Sequence, residues 1–333
     1  SPLLETAHTF LTIPDLLNFW MTGAKVCEFT NTTTTQMFNP RTGTWAIDML
    51  DRLGIPSRIL PEIVPPGTKL GVYEGIPVIA PATHDTGSAV AGVPTIRRDY
   101  AYISSGTWSL VGLEVPNAIL NDAAYAANVT NEGGIENTYR LLKNVAGLWV
   151  LQQCRAQWES EGTPYTYAEL VALARGAADK HTIIDVDDAR FLPPGNHPAH
   201  IRAWCTENGV TPPETHGEIV RAVLESLALK YRITLDNLRR ISGQSIDIVH
   251  IVGGGTQNEL LNQFTADAAG FPVAAGPIEA TVFGNAAVQL IACGELGSIA
   301  EARQIIADMN VTRLYQPTPD DFWDAAVERI VHP

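Results

Sequence analysis

The chain has 333 residues, of which 45% are hydrophobic and 17% are charged, so it can bury a sizeable core and is not disordered as a whole. Its 22 lysines and arginines stand against 36 acidic residues, a formal net charge of −14, which disfavours binding to nucleic acid or to an anionic membrane surface. No apolar run approaches the roughly 20 residues that span a bilayer. The four cysteines form no CxxC pair, which predicts free thiols in a reducing cytoplasm.

The first predicted elements are short. An early proline, apolar residues on one face and a glycine that follows predict a helix over residues 14–21. Residues 30–44 are rich in Thr, Asn, Gly and Pro, which favours a loop with short strands. A short helix is predicted over residues 46–53 and a buried strand over residues 77–80.

The middle of the chain carries longer elements. Residues 100–115 predict a hairpin that bends at a Ser-Ser-Gly-Thr stretch. A helix is predicted over residues 144–158, and a capping box at Thr166 predicts the start of another. The Pro-rich residues 189–213 indicate a loop, and an apolar stripe after a second capping box predicts the longest helix over residues 217–242.

The last part of the chain alternates between the two kinds of element. A strand is predicted over residues 246–252, directly before three glycines. A second strand is predicted over residues 272–275, and helices are predicted over residues 258–269, 284–293, 298–309 and 320–331. This alternation predicts an α/β fold class.

The first candidate site is Thr83-His84-Asp85-Thr86-Gly87, which follows the predicted strand at 77–80. A carboxylate at the C-terminal end of a strand in an α/β sheet faces the crevice where ligands bind. Asp85 in such a place can accept a proton from a substrate hydroxyl. The alternative interpretation is that Asp85 caps the next helix, which is predicted to begin near Ser88.

The second candidate site is the hairpin bend Ser104-Ser105-Gly106-Thr107. Its backbone N–H groups and hydroxyls can bind a phosphate. An ordinary hairpin with a polar tip explains the same residues.

The third candidate site is Gly253-Gly254-Gly255-Thr256-Gln257-Asn258, where a strand is followed by glycines and a helix. Glycines allow a nucleotide to approach the backbone closely, and a helix N-terminus favours anions. The stretch is not GxGxxG, which disfavours a dehydrogenase, and the chain has no GxxxxGK(S/T) motif of a P-loop protein. His197 and His200 have a spacing seen in metal sites, but a solvated Pro-rich loop without a metal is the favoured interpretation.

The ordered set of motifs resembles the FGGY family of sugar kinases over nearly the whole chain. The stretches that carry the resemblance are TNTTTTQMFNPRTGTWA, ATHDTGSAV, AYISSGTWSLVGLE, ANVTNEGGIENTYRLLKNVAGLWVLQQ, HIVGGGTQNELLNQFTADAAG and AGPIEATVFGNAAVQL. The resemblance implies an actin/hexokinase-like, ribonuclease H-like ATPase fold with two domains and a cleft. It also implies ATP and Mg²⁺ as cofactors and a ketose sugar as the small-molecule partner.

The resemblance also implies roles for individual residues. Asp85 would be the catalytic base that deprotonates the sugar hydroxyl as its oxygen attacks the γ-phosphate of ATP. The residues expected to contact the sugar beside it are His84, Thr86 and Asn144, and those expected at ATP are Thr107, Gln152, Gly253, Gly254, Gly255 and Asn258. Gly284-Asn285-Ala286 resembles the connecting helix at the family's domain hinge.

One departure from the family is large. The phosphate-binding strand–turn–strand of the type DxGxxS is not found in the sequence. The chain is therefore expected to begin partway through the first domain, with residues 1–90 on the sugar-binding side and residues 91–333 forming the nucleotide-binding domain. Little or no turnover is expected of this chain alone. A non-catalytic nucleotide-binding module of the same fold stays open as an alternative.

Overall fold

A computed structural model describes residues 2–178, 181–309 and 311–331 of the chain. Its α-helices are α1 (Pro2–Thr6), α2 (Ile13–Thr22), α3 (Phe29–Thr32), α4 (Ile47–Arg52), α5 (Asp85–Ala91), α6 (Asp122–Ala126), α7 (Trp149–Ser160), α8 (Tyr167–Gly176), α9 (His197–Glu207), α10 (His216–Ser242), α11 (Glu259–Ala269), α12 (Ala280–Cys293), α13 (Ile299–Asp308) and α14 (Asp321–Val331). Its strands are β1 (Val26–Glu28), β2 (Phe38–Asn39), β3 (Thr44–Trp45), β4 (Glu62–Val64), β5 (Thr68–Tyr73), β6 (Ile76–Ala80), β7 (Tyr100–Ser105), β8 (Ser109–Val115), β9 (Thr130–Gly133), β10 (Tyr139–Val145), β11 (Ile248–Val252), β12 (Val273–Ala275) and β13 (Arg313–Tyr315).

A seven-stranded mixed sheet forms the centre, in the order β13-β12-β11-β7-β8-β10-β9. Strands β7, β8, β10 and β9 form an antiparallel run in which short connections join β7 to β8 and β9 to β10, and β11 and β12 continue the sheet parallel to β7. Successive side chains of β7 face opposite sides of this sheet, as the pleat requires. Ala101 and Ile103 therefore enter a core with α10, whereas Tyr100 and Tyr102 enter a second core with α5 and α12.

The residues before Val93 form a looser arrangement. Their strands make three two-stranded sheets, β1 with β4, β2 with β3, and β5 with β6. Their most extensive contact with the rest of the chain is the packing of α5 on α12. A side chain at Gly92 or at Gly284 would overlap the backbone of the opposite helix, so the two axes cross closely because both positions are glycine.

The helix α2, the β7–β8 hairpin, both capping boxes, α10 and the elements predicted after α10 are confirmed within a few residues, whereas β13 was not predicted. The buried strand predicted at 77–80 is only partly buried, because its partner β5 lies at the surface. The helix predicted over 144–158 is wrong at its start: residues up to Val145 belong to β10, and α7 begins at Trp149. Strand β10 pairs with β8 on one side and with β9 on the other. No local pattern in that segment indicates this pairing.

The loop predicted over 189–213 is wrong in part. It contains α9, in which Pro198 occupies the first turn, where a proline needs no hydrogen-bond partner. His197 is fully buried rather than solvated, and its two ring nitrogens face the backbone oxygens of Gly195 and Phe191 at 3.1 Å each. Tertiary packing against Trp149 and Phe191 explains the burial that the local composition did not predict.

None of the helices in the described ranges has both the length and the apolar composition needed to cross a bilayer. All four cysteines are free thiols, and three of them are buried.

Candidate active site

Two neighbouring cavities lie along the C-terminal end of the central sheet. The larger measures about 1010 Å³ and the smaller about 710 Å³. Gly106, Thr107 and Gly254 line both, so the cavities share a wall. Each of the predicted site residues lines at least one cavity: the larger has His84, Asp85, Thr86, Thr107, Asn144, Gly253 and Gly254, and the smaller has Thr107, Gln152, Gly254, Gly255 and Asn258.

Asp85 lies at the first position of α5, three residues before the predicted start of that helix. Its side chain is 83% exposed in the larger cavity. One carboxylate oxygen accepts a hydrogen bond from the backbone N–H of Thr86 at 2.6 Å, which leaves the other oxygen available. Asp85 thus presents a carboxylate to a cavity, but the interpretation that it caps the helix is wrong, because His84 is the N-cap residue of α5 and no side chain caps this helix. Its role as a proton acceptor stays a prediction.

The segment before Asp85 is held by a buried carboxylate on β1. Glu28 accepts hydrogen bonds from the backbone N–H and hydroxyl of Thr83, at 3.0 and 2.8 Å. It also accepts from the backbone N–H and hydroxyl of Thr30, at 2.9 and 2.5 Å. The hydroxyl oxygen of Thr30 in turn accepts from the backbone N–H of His84 at 3.1 Å. These bonds fix the position from which Asp85 enters the cavity.

The turn of the β7–β8 hairpin is held by backbone contacts to the start of α7. The N–H groups of Leu148 and Trp149 donate to the carbonyl oxygens of Gly106 and Thr107, at 3.1 and 3.0 Å. Gln152, one turn further along α7, donates from its side-chain amide to the Thr107 hydroxyl at 3.3 Å. The Thr107 hydroxyl and the Gln152 amide therefore meet at the wall between the two cavities.

The glycine segment after β11 packs against the same hairpin. Gly253 has a φ of +87°, and a Cβ there would lie 2.9 Å from the carbonyl oxygen of Ser105. A Cβ at Gly255 would lie 2.5 Å from the Ser105 Cβ, whereas one at Gly254 would meet nothing within 4 Å. Gly253 and Gly255 thus allow the close approach of two backbones, and Gly254 offers an open backbone surface to both cavities.

Asn258 and Asn144 lie at the cleft on different kinds of element. The side-chain oxygen of Asn258 accepts from the backbone N–H of Leu261 at 3.0 Å and caps α11. A short 3₁₀ turn separates the glycines from α11, so the strand does not lead directly into that helix. Asn144 lies on β10 opposite Leu110, rather than at the start of a helix, and faces the larger cavity.

Sequence reasoning missed a charged pair below the larger cavity. Arg140 on β10 is fully buried, and its guanidinium lies 3.2 Å from the carboxylate of Glu132 on β9 and 3.5 Å from Nδ1 of His84. Burial and then the Arg140 charge lower the pKa of His84, against the smaller opposite effects of Glu132 and Asp85. The Thr-Asn-Glu-Gly-Gly stretch was a signal for Glu132, whereas no sequence pattern distinguished Arg140 from a surface arginine.

Comparison with known proteins shows which protein family the chain belongs to. Residues 101–293 match the C-terminal domain of the FGGY family of carbohydrate kinases, and residues 2–92 match its N-terminal domain. The chain therefore belongs to the FGGY family of carbohydrate kinases.

Two curated relatives show which kind of FGGY kinase this chain is similar to. A rhamnulokinase from Bacteroides thetaiotaomicron is 42% identical over 333 residues, with 97% of this chain and 68% of the relative covered. A rhamnulokinase from Enterococcus faecalis is 43% identical, with 96% and 66% covered. The similarity to rhamnulokinases that the sequence motifs predict is confirmed. The chain spans about two thirds of the length of these relatives.

Solved structures confirm the predicted actin/hexokinase-like fold. The ligand-bound xylulose kinase from Lactobacillus acidophilus superposes with a TM-score of 0.76 at 18% identity, over 98% of this chain and 66% of that one. The Plasmodium falciparum glycerol kinase with ADP gives a TM-score of 0.74 at 18% identity, over 97% and 67%.

Proposed function

We propose that this chain carries the cleft of an ATP-dependent sugar kinase that phosphorylates L-rhamnulose at O1. The observation that supports it best is the wall shared by the two cavities. A sugar in the larger cavity and a nucleotide in the smaller one would meet at Gly106, Thr107 and Gly254. The choice of L-rhamnulose rests on the rhamnulokinase relatives.

The proposed reaction uses Asp85 as the general base. The O1 oxygen of the ketose attacks the γ-phosphorus, the bond from that phosphorus to the bridging oxygen of ADP breaks, and the O1 proton passes to the Asp85 carboxylate. The products are ADP and L-rhamnulose 1-phosphate. The exposure of the carboxylate to the larger cavity supports this role, because a base must reach the proton that it removes.

The remaining residues would orient the two substrates. His84, Thr86 and Asn144 are proposed to contact the sugar, since they share the larger cavity with Asp85. The ATP contacts are proposed to be Thr107, Gln152, Gly254, Gly255 and Asn258, which line the smaller cavity, and Gly253, which precedes Gly254 and lines the larger one. Since Asn258 already caps α11 with its oxygen, its side-chain NH₂ is the group left for a ligand.

Mg²⁺ is part of the proposal as an ion that arrives with ATP. Within residues 2–178, 181–309 and 311–331, no group of three or more His, Cys, Asp or Glu side chains is arranged to hold a metal. Mg²⁺ does not require such a group, because proteins commonly bind it through substrate phosphates and one or two carboxylates, with waters retained. The bound ion would neutralise charge on the transferred phosphoryl group.

The two domains are proposed to have the bounds and roles that the sequence predicts. Residues 1–90 form the sugar side of the cleft, and residues 91–333 form the nucleotide side. The limits of the two family matches, at 92 and 101, support it. The free thiols support a cytoplasmic location, because that compartment keeps cysteines reduced.

A coupled assay of ADP release with Mg-ATP and L-rhamnulose, xylulose and fuculose tests the proposal. Rhamnulose-dependent turnover that is lost in Asp85→Asn, with ATP binding retained, would support it. Preference for another ketose would leave a kinase of the same family with a different acceptor. ATP binding that the Asp85 substitution leaves unchanged, without turnover on any ketose in this chain or in a version extended upstream, would favour a non-catalytic nucleotide-binding module. The same assay on a version extended upstream tests the expectation that this chain alone turns over little.

A further inference from the structure

A buried arginine lies beneath the wall of the larger cavity and touches the histidine next to Asp85. The Nε–H of Arg140 donates to the carbonyl oxygen of Gly133 at 2.9 Å, and its Nη2 lies 3.2 Å from the Glu132 carboxylate. The same Nη2 lies 3.5 Å from Nδ1 of His84. A charged group with no solvent exposure is costly, so its partners define what it does.

The direction of the contact with His84 is fixed by chemistry. A guanidinium has N–H donors and no acceptor, so Nδ1 of His84 must be the acceptor. A proton on Nδ1 would point at an N–H of Arg140. In a neutral imidazole the proton then lies on Nε2.

The other possible partner of Nδ1 is weaker. A carboxylate oxygen of Asp85 is 3.8 Å from Nδ1, beyond hydrogen-bond distance. That oxygen already accepts from the backbone N–H of Thr86 at 2.6 Å. The charged groups that face His84 are Arg140, Glu132 and Asp85. Burial and the Arg140 charge lower the pKa of His84, which favours the neutral ring.

We propose that Arg140 is a positioning residue that fixes His84 as the neutral tautomer with its proton on Nε2. His84 then offers one hydrogen-bond donor to an oxygen of the ligand in the larger cavity. Glu132 balances the Arg140 charge. The identity of the ligand as a ketose rests on the proposed function, but the tautomer of His84 does not.

The tautomer has a consequence for Asp85. A charged imidazolium 3.8 Å from the carboxylate would stabilise its ionised form and weaken it as a base. A neutral Nε2–H donor instead orients a hydroxyl or carbonyl oxygen of the sugar without that effect. Arg140 thus acts on the reaction through His84, without contact with the reacting atoms.

The direct test is ¹⁵N NMR of the chain labelled at histidine. The ring signals of His84 are assigned by their loss in His84→Gln. We expect a protonated Nε2 and an unprotonated Nδ1 at neutral pH. A proton on Nδ1, or a charged ring, would overturn the proposal. This measurement needs no turnover, so it can fail or succeed independently of the kinase assignment.

A second measurement tests whether Arg140 is the cause. The double variant Arg140→Met with Glu132→Gln removes the contact without leaving one buried charge alone. We expect the His84 signals to move towards a mixture of tautomers, whereas Arg175→Met, at an exposed arginine, leaves them unchanged. Unchanged signals in the folded double variant would contradict the role of Arg140. If the double variant does not fold, the wild-type spectrum alone decides the proposal, through the position of the proton on the His84 ring.

Kinetics of a version extended upstream, for which turnover is expected, then link the tautomer to the ligand. In His84→Gln the side-chain NH₂ takes the place of Nε2, whereas in His84→Asn it takes the place of Nδ1. We expect KM for the ketose to be about tenfold lower in the Gln variant than in the Asn variant, the worth of one hydrogen bond. Equal KM values in two active variants would contradict donation from Nε2.

Discussion

The two sides of the cleft hold their functional groups by different means. On the side of Asp85, buried side chains hold the neighbouring residues in place: Glu28 binds Thr83 and Thr30, and Arg140 contacts His84. On the side of the glycines, backbone packs directly on backbone, with Gly253 and Gly255 against Ser105. The first side therefore depends on polar pairing and the second on the absence of side-chain volume. Substitutions that preserve shape should damage the first, and substitutions that add one methyl group should damage the second.

The largest effect is expected on kcat, from a substitution of Asp85. Asp85→Asn keeps the shape of the side chain and removes the proton acceptor, so kcat should fall by about 10²–10⁴-fold. The exposed carboxylate makes little contact with the core, so the free energy of unfolding should change by less than about 0.5 kcal/mol. Steady-state kinetics of a version extended upstream and denaturant unfolding of this chain measure the two quantities. A variant with unchanged kcat would remove Asp85 from the mechanism.

Glu28→Gln should break the polar support of Asp85. The Glu28 carboxylate accepts from Thr30, Asn31 and Thr83, and a side-chain NH₂ in place of one oxygen would face N–H or O–H donors. An unsatisfied buried group costs about 1–3 kcal/mol, which urea unfolding measures. Glu62→Gln on the neighbouring strand β4 is the control, because its side chain is exposed. Equal stability of the two variants would show that the hydrogen bonds to Glu28 are not needed.

The histidine on β11 gives a prediction on pH dependence. Burial first, and then the charges of Arg303 and Arg97, lower the pKa of His250 to about 4. In the unfolded chain its pKa returns to its ordinary value, so the unfolded state binds the proton first. The contribution to stability is complete above about pH 6.5 and is lost as pH falls to about 4, at a cost on the order of 3 kcal/mol.

Unfolding of wild type and His250→Gln between pH 4 and 7 measures this contribution. The difference between their free energies of unfolding should change in this range. Parallel pH profiles for wild type and His250→Gln would refute the assignment.

The backbone side of the cleft offers a matched pair of glycines. Gly253→Ala places a Cβ 2.9 Å from a carbonyl oxygen at a positive φ, so we expect a loss of about 1–3 kcal/mol of stability. Gly254→Ala meets no atom within 4 Å and should leave stability unchanged while it weakens ATP binding. Thermal unfolding and calorimetric titration with ATP separate the two. If both variants lose stability equally, close backbone approach is not the reason for these glycines.

The smallest effect is expected at the rim of the smaller cavity. Arg175 and Glu259 form an ion pair at 3.1 Å, and their side chains are 53% and 43% exposed. Solvent screens such a pair, so Arg175→Ala should change the free energy of unfolding by less than about 1 kcal/mol. A larger loss in urea unfolding would mean that α8 and α11 depend on this contact.

The sequence motifs predicted which residues meet at the cleft better than they predicted the elements that carry them. The glycines and Asp85 could be located because turn chemistry and strand ends are local properties. Asn144 was placed on the wrong element, since the pairing of β10 with β8 lies outside any local window. Arg140 and Glu28 could not be recognised at all. Their roles come from contacts with residues 56 and 55 positions away, His84 and Thr83 respectively.

The shared wall of the cavities has a consequence for the design of inhibitors. Because Gly106, Thr107 and Gly254 face both spaces, the wall between what binds in one and what binds in the other is no thicker there than a single residue. A molecule that joins a polyol to adenosine through a short phosphate chain would occupy both cavities at once. Its second half would bind at the effective concentration set by the linker, on the order of millimolar for a short flexible one. Such a compound would compete with both substrates, and it would select this chain over proteins that share only the nucleotide cavity.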